Sequence, residues 1–292
     1  MSIRALRKQY KNLGSAFSED LLLLGSSGDS IFGFSEKENS GVEISDHFRA
    51  VKLPITPNRV TFDAGTSSVM FMNGNTIGIV LPNETINTKE VDGAEWCDAH
   101  LVDGKVIGLT VSGVLSAFDI ELNQLFYTEI KKGAQCFVSK GRKLIVGTGG
   151  SIVTLEVTDS SFTIEDSVII SPKRIKNMRV TDSYLIVITR SEFSYWALDG
   201  FVPIHRRKLN GEYAVFSIHG EYCILAGDRG VPLVLRVFPE EQREERIQVV
   251  VGPYVNQNAI MINAVFTEAD ELICSFMKQP TDYDLVRLSI HQ

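Results

Sequence analysis

Short apolar runs with period-two alternation, divided by turn residues, dominate the chain from Gly74 onward, and almost no helical periodicity interrupts them. Residues 95–130 show the unit. Trp96 to Val102 reads as a strand, Asp103-Gly104 as a turn and Lys105 to Val111 as a second strand. Ser112-Gly113 turns the chain again, Val114 to Ile120 is a third strand, and Gln124 to Ile130 a fourth. Asp-Gly and Ser-Gly between β-branched runs signal hairpins, because glycine accepts the positive φ that tight hairpins need.

The unit recurs. Its second strands centre on Val69, Ile107, Ile145, Ile186, Ile224 and Ile273, steps of roughly 40 residues, the length of a four-stranded propeller blade. The two middle strands of each unit are the most continuously apolar, as inner strands covered on both faces should be. A lone twisted sheet cannot cover both faces, and packing sheets around a ring does. The expected fold is therefore all-β: a seven-bladed β-propeller with four antiparallel strands per blade, formed by residues 1–292 as a single domain. Six blades with a loose N-terminal segment is the alternative, and a β-sandwich a further one. The last unit, residues 259–290, lacks a fourth strand. Ser2 to Lys8 lies before the first unit and is expected to fill that place and close the ring. Ser35 to His47 is polar, acidic and glycine-bearing and reads as a loop inside the first blade.

Composition narrows the function classes. The chain has 292 residues, 44% hydrophobic and 22% charged, as ordinary globular proteins do. Its net charge of −7 argues against general binding to a phosphate backbone. No apolar run approaches the roughly 20 residues of a bilayer span. The opening Met-Ser-Ile-Arg-Ala-Leu-Arg-Lys has no apolar stretch behind it to make a signal peptide. Cys97, Cys136, Cys223 and Cys274 lie in apolar segments without metal-ligand spacing and read as buried thiols of a reducing compartment. An intracellular location, nuclear or cytoplasmic, is the expectation, and Asn83-Glu84-Thr85 is then a sequon by letter only.

The usual Trp-Asp of a propeller repeat is reduced to Phe118-Asp119 and Leu198-Asp199, with no Gly-His before them. Across its whole length the chain resembles WD40-like propellers in architecture rather than in signature. Four segments carry a narrower resemblance: Leu22-Leu23-Leu24-Gly25, Val60-Thr61-Phe62-Asp63, Val114 to Asp119 and Lys143-Leu144-Ile145-Val146. Their order is similar to the N-terminal propeller of the cytoplasmic-face nucleoporins that dock the DEAD-box helicase of mRNA export. That resemblance implies nuclear-pore and mRNA-transport work, but transfers no contact residues. The chain is shorter than that family's propeller and lacks its phenylalanine-glycine tail.

No motif names a reaction. His47, His100, His205, His219 and His291 show no metal spacing. Gly147-Thr148-Gly149-Gly150-Ser151 joins two strands with no helix behind it, so it reads as a hairpin turn rather than a phosphate loop. Trp96 and Trp196 fall inside strands and read as core. The expectation is no enzyme, no catalytic residue, no metal ligand and no cofactor.

One charge feature points to a partner. Lys131 and Lys132 lie between the third and fourth units, Lys173, Arg174 and Lys176 between the fourth and fifth, and Arg190 between two strands of the fifth. In a propeller these connections open on one face, where they would gather into a patch able to steer an acidic protein or RNA. Pro253-Tyr254 lies in a loop of the same kind. The run Glu240 to Arg246 reads as a solvated loop or short helical turn on the opposite face. Three function classes follow. The favoured one is a scaffold subunit of an intracellular assembly, with other subunits as partners. The second is an adaptor for RNA or a helicase, and the third a propeller enzyme or small-ligand binder.

Overall fold

The computed structural model describes residues 2–5, 21–27, 30–35, 39–44, 49–63, 65–130, 133–209, 213–227, 233–250, 260–266, 271–279 and 282–290. They form two compact units, residues 57–210 and residues 1–56 with 211–292. In chain order the strands of the first part are β1 (Ser2–Ala5), β2 (Leu21–Ser27), β3 (Ser30–Ser35), β4 (Ser40–Ile44) and β5 (Arg49–Lys52). Next come β6 (Arg59–Asp63), β7 (Ser68–Asn73), β8 (Thr76–Val80), β9 (Ile86–Glu90), β10 (Trp96–Val102), β11 (Lys105–Thr110), β12 (Val114–Phe118) and β13 (Gln124–Glu129). β14 (Ala134–Lys140), β15 (Lys143–Thr148), β16 (Ser151–Val157), β17 (Phe162–Ile169), β18 (Ile175–Val180), β19 (Tyr184–Thr189), β20 (Glu192–Ala197) and β21 (Pro203–Lys208) follow. The last are β22 (Tyr213–His219), β23 (Tyr222–Gly227), β24 (Leu233–Phe238), β25 (Arg243–Val250), β26 (Ile260–Phe266), β27 (Glu271–Gln279) and β28 (Asp282–Ile290).

The unit of residues 57–210 contains four antiparallel sheets, β6–β9, β10–β13, β14–β17 and β18–β21, each hydrogen-bonded in sequence order. Burial follows the expected pattern. β11, β15 and β19 are buried along nearly their whole length, whereas β13, β17 and β21 alternate or lie open. Neighbouring sheets share cores. Met70, Ile77 and Ile79 meet Trp96, Val106 and Phe118; Ile107 and Leu109 meet Phe137 and Val146; Ile145 and Ile152 meet Leu185 and Trp196. Each such side chain gains about 1.5–3 kcal/mol by leaving water. The Asp103-Gly104 turn takes φ of 51° and 71°, as the sequence pattern requires. Three of the four first strands open on a bulge, at Trp96/Asp98, Ala134/Cys136 and Ile175/Asn177.

The other unit holds the sheet β2–β5 and an eight-stranded sheet, in the order β22-β23-β24-β25-β1-β28-β27-β26. β1 pairs antiparallel with β28, Ile3 opposite Ile290, and parallel with β25, Ile3 opposite Val249.

Two expectations are corrected. The segment 35–47 is not all loop, because β4 lies within it and pairs with both β3 and β5. Its Ser-Gly-Val-Glu-Ile has too few apolar residues to announce a strand, and the two neighbours supply the hydrogen bonds that hold it. The charged run after Phe238 starts with the short helical turn that is one of its two readings, but its second half is strand. A 3-10 turn spans Pro239–Glu241, Gln242 has φ 48°, and β25 already begins at Arg243. Arg243 pairs with Glu241 at 2.9 Å, contacts Glu245, and lies 4.0 Å from the centre of the Phe238 ring.

Candidate partner-binding surface

The chain between β17 and β18 is tied to two hairpin turns. Ile170 and Ser171 both donate their amides to the Gly150 carbonyl, at 3.0 and 2.9 Å, and the Ile175 amide reaches the Gly149 carbonyl at 2.6 Å. Gly149 takes φ 64°, and a Cβ on Gly150 would come 1.9 Å from the Ser171 oxygen. The glycine pair therefore turns a hairpin and also admits the linker, as a strand-to-strand turn rather than a phosphate loop. Lys173 is fixed at both ends: its amide donates to Ser171 Oγ at 3.1 Å and its Nζ to Ser191 Oγ. Ser191 lies beside Arg190 in the turn between β19 and β20, and its carbonyl accepts the Leu209 amide at 2.9 Å. The linker, the turn and the end of β21 thus form one end of the β18–β21 sheet.

Exposed Lys173, Arg174, Lys176 and Arg190 all belong to this end. Lys176 is not in the linker, however. It lies within β18 at the bulge between Ile175 and Asn177, a position set by register with β19 rather than by local sequence. Lys131 and Lys132, and Pro253-Tyr254, lie outside the described residues. Sequence reasoning missed the contribution of β21. Arg207 and Lys208 stand opposite Phe193 and Glu192 at the same end, and Arg206 lies over the Trp196 ring at 4.8 Å. Burial, with Arg207 nearby, lowers the His205 pKa and favours its neutral form. Ile169, the last residue of β17, precedes the linker with 79% of its surface exposed.

The opposite end of the neighbouring sheets is neutralised. Arg142 reaches Asp103 at 2.8 Å and Asp159 at 3.2 Å, Lys143 reaches Glu165 at 2.9 Å, and Lys140 reaches Asp182 at 3.8 Å. Among the described residues, Lys173, Arg174 and Lys208 have no carboxylate within ion-pair distance.

A second polar cluster joins the first strands. Fully buried Asp98 on β10 meets Arg59 of β6 at 3.1 Å and His100 Nε2 at 3.3 Å, and accepts the Phe137 amide of β14 at 2.9 Å. Burial alone would raise the Asp98 pKa. His100, Arg59 and the hydrogen bonds from His100 and Phe137 outweigh it and hold the carboxyl below its ordinary range. Burial first, and the Asp98 charge second, push the Cys97 and Cys136 thiols up to about 12. Cys136 is buried in the core and Cys97 is half-buried against it. No group of three or more His, Cys, Asp or Glu able to hold a metal ion occurs among the described residues. Among them, no helix is long and apolar enough to cross a membrane.

No family model matches the chain, and no curated protein matches it in sequence. Solved structures do match. The β-propeller domain of Myceliophteria thermophila Cps50 (Swd1) superposes with a TM-score of 0.73 at 10% identity, over 97% of this chain and 98% of that one. The fold is a β-propeller. A chain of the mitotic checkpoint complex matches this propeller with a TM-score of 0.69 at 11% identity, over 92% of this chain and 87% of that one. Streptogramin B lyase matches it at 0.67 and 9% identity, over 94% of each chain. One propeller fold thus serves a member of an assembly and a lyase, so function must be argued from the surface.

Proposed function

We propose that this chain is a non-catalytic protein-interaction scaffold of an intracellular assembly, and that the basic end of its β18–β21 sheet receives an acidic partner protein. The observation that carries this reading is the contrast between the two ends of the sheets. Cations at one end are matched by carboxylates, while Lys173, Arg174 and Lys208 at the other are not. On a chain of net charge −7 such a concentration attracts acidic surfaces and repels little of its own kind. The linker bonded to the Gly149-Gly150 turn fixes the backbone that carries Lys173 and Arg174 before binding, which lowers the ordering cost of association.

The finer architecture in this reading is seven blades. It is supported by the repeat period, by four sheets in one unit, and by β1 lying beside β28 as the strand the last repeat lacks. Placement at the nuclear pore, with an mRNA-export helicase as partner, is the narrower version and has the four sequence segments as its support. The test is quantitative affinity capture of the chain from its own cells, beside the variant with Lys173, Arg174 and Lys176 changed to Glu. Stoichiometric proteins held by the wild type and lost by the variant are expected. A wild-type chain that returns alone would overturn the scaffold reading.

A further inference from the structure

The geometry points to a two-part docking surface, in which Arg174 and Lys208 take the carboxylates of an acidic partner segment and exposed Ile169 seats an apolar side chain of the same segment. This deepens the scaffold reading and rests on it. The basic linker alone offers only charge. β21 adds a second line of cations from a different strand, since antiparallel pairing brings Arg207 and Lys208 to the end where Arg190 turns the chain. Ile169 adds the apolar element. It is the most exposed of the large hydrophobic residues described, at 79%, whereas the next residue, Ile170, is buried at 4%. Isolated exposed apolar residues are common on surfaces. This one lies beside a linker whose backbone is fixed by three hydrogen bonds to Gly149 and Gly150, so it is displayed in one place.

A protein segment fits better than RNA. Single-stranded nucleic acid is held by a basic groove together with aromatic rings on which bases stack. The residues displayed here are Ile169, Pro172 and cations, and Trp196, further along β20, is buried with Arg206 over its ring. The chain's net negative charge also opposes a long polyanion.

The experiment is fluorescence anisotropy of the full chain with a labelled peptide of Glu residues interrupted by Leu. A second peptide with Ser in place of Leu and an oligouridine RNA of equal length serve for comparison. The wild type should bind the Leu peptide, less tightly as salt rises. Arg174→Glu with Lys208→Glu should weaken it by about tenfold. Ile169→Ser should weaken the Leu peptide by about fivefold and leave the Ser peptide unchanged. Lys143→Glu, a charge reversal at the opposite end, should alter affinity by less than about twofold. All these side chains are solvent-facing, and unchanged thermal melts would verify folding. No binding of the Leu peptide, equal binding by the double variant, or equal losses for both peptides on Ile169→Ser would overturn the surface. Tighter binding of oligouridine would overturn the partner class. If cellular partners are captured equally by the wild type and by the Arg174→Glu, Lys208→Glu variant, the scaffold reading stands and this surface falls.

Discussion

Asp98 and Phe137 lie in the first strands of neighbouring sheets, and the Asp98 carboxylate accepts the Phe137 amide at 2.9 Å. A side chain thus does between sheets what a main-chain carbonyl does within one. Thr61 makes the corresponding contact on the other side, donating its hydroxyl to the Ala99 carbonyl. Asp98→Ala would leave the Phe137 amide and Arg59 without their buried acceptor. The expected loss is about 3 kcal/mol, read as a shifted urea midpoint with an unchanged slope.

The same carboxylate gives a pH signature. Its folded pKa lies below the ordinary value, so its contribution is complete above the unfolded value of about 3.9 and is lost as pH falls through the folded one. The stabilities of the wild type and Asp98→Asn should therefore differ at neutral pH and converge below about pH 4. Parallel curves down to the acid transition would show that Asp98 contributes nothing through its charge.

Gly150→Ala places a methyl group where the Ser171 carbonyl sits. The linker must move away, at a cost of about 1–3 kcal/mol. Because that linker carries Lys173 and Arg174, affinity for the Glu-Leu peptide should fall together with stability. Gly78→Ala, which meets the Phe71 ring at 2.2 Å in a different sheet, should lower stability without altering affinity in the fold that remains.

Cys97 and Cys136, with pKa values pushed up to about 12, should resist alkylation by iodoacetamide at pH 8 in the native protein and react within minutes in guanidinium. Peptide mass spectrometry separates the two sites. Rapid native labelling of Cys136 would contradict its burial in the shared core of β14 and β18.

Trp196 donates its indole N–H to Ser194 Oγ at 2.9 Å and carries Arg206 on its face. Trp196→Phe should cost about 1–2 kcal/mol by leaving the buried hydroxyl short of a partner. Arg206→Ala should cost about 0.5 kcal/mol, the value of an exposed cation over a ring. Chemical denaturation of the two variants separates these contributions.

The repeat was legible because its cause is local. Asp103-Gly104 has the residues its φ values demand, and the apolar run of β11 is long enough to require cover on both faces. The basic linker was legible as a run of Lys and Arg. Features that depend on distant partners were not. Lys176 enters a bulge that only pairing with β19 defines. Arg206 to Lys208 look like any solvated outer strand until register brings Lys208 opposite Glu192. Asp98 looks like a lone acidic residue in an otherwise mostly apolar strand, and the amide that explains it belongs to the next repeat. β4 was hidden by its glycine and its charge, and its neighbours rather than its composition make it a strand.

The strand β1 has a consequence for the order of events during synthesis. Its antiparallel partners are Leu288, Ser289 and Ile290. β1 leaves the ribosome well before β28 does, so it cannot pair with β28 until Leu288 to Ile290 have followed it. Contacts of such long reach form late and slowly. Until β1 docks, β25 and β28 each have an open edge where it will lie, and such an edge exposes the chain to joining another copy of itself.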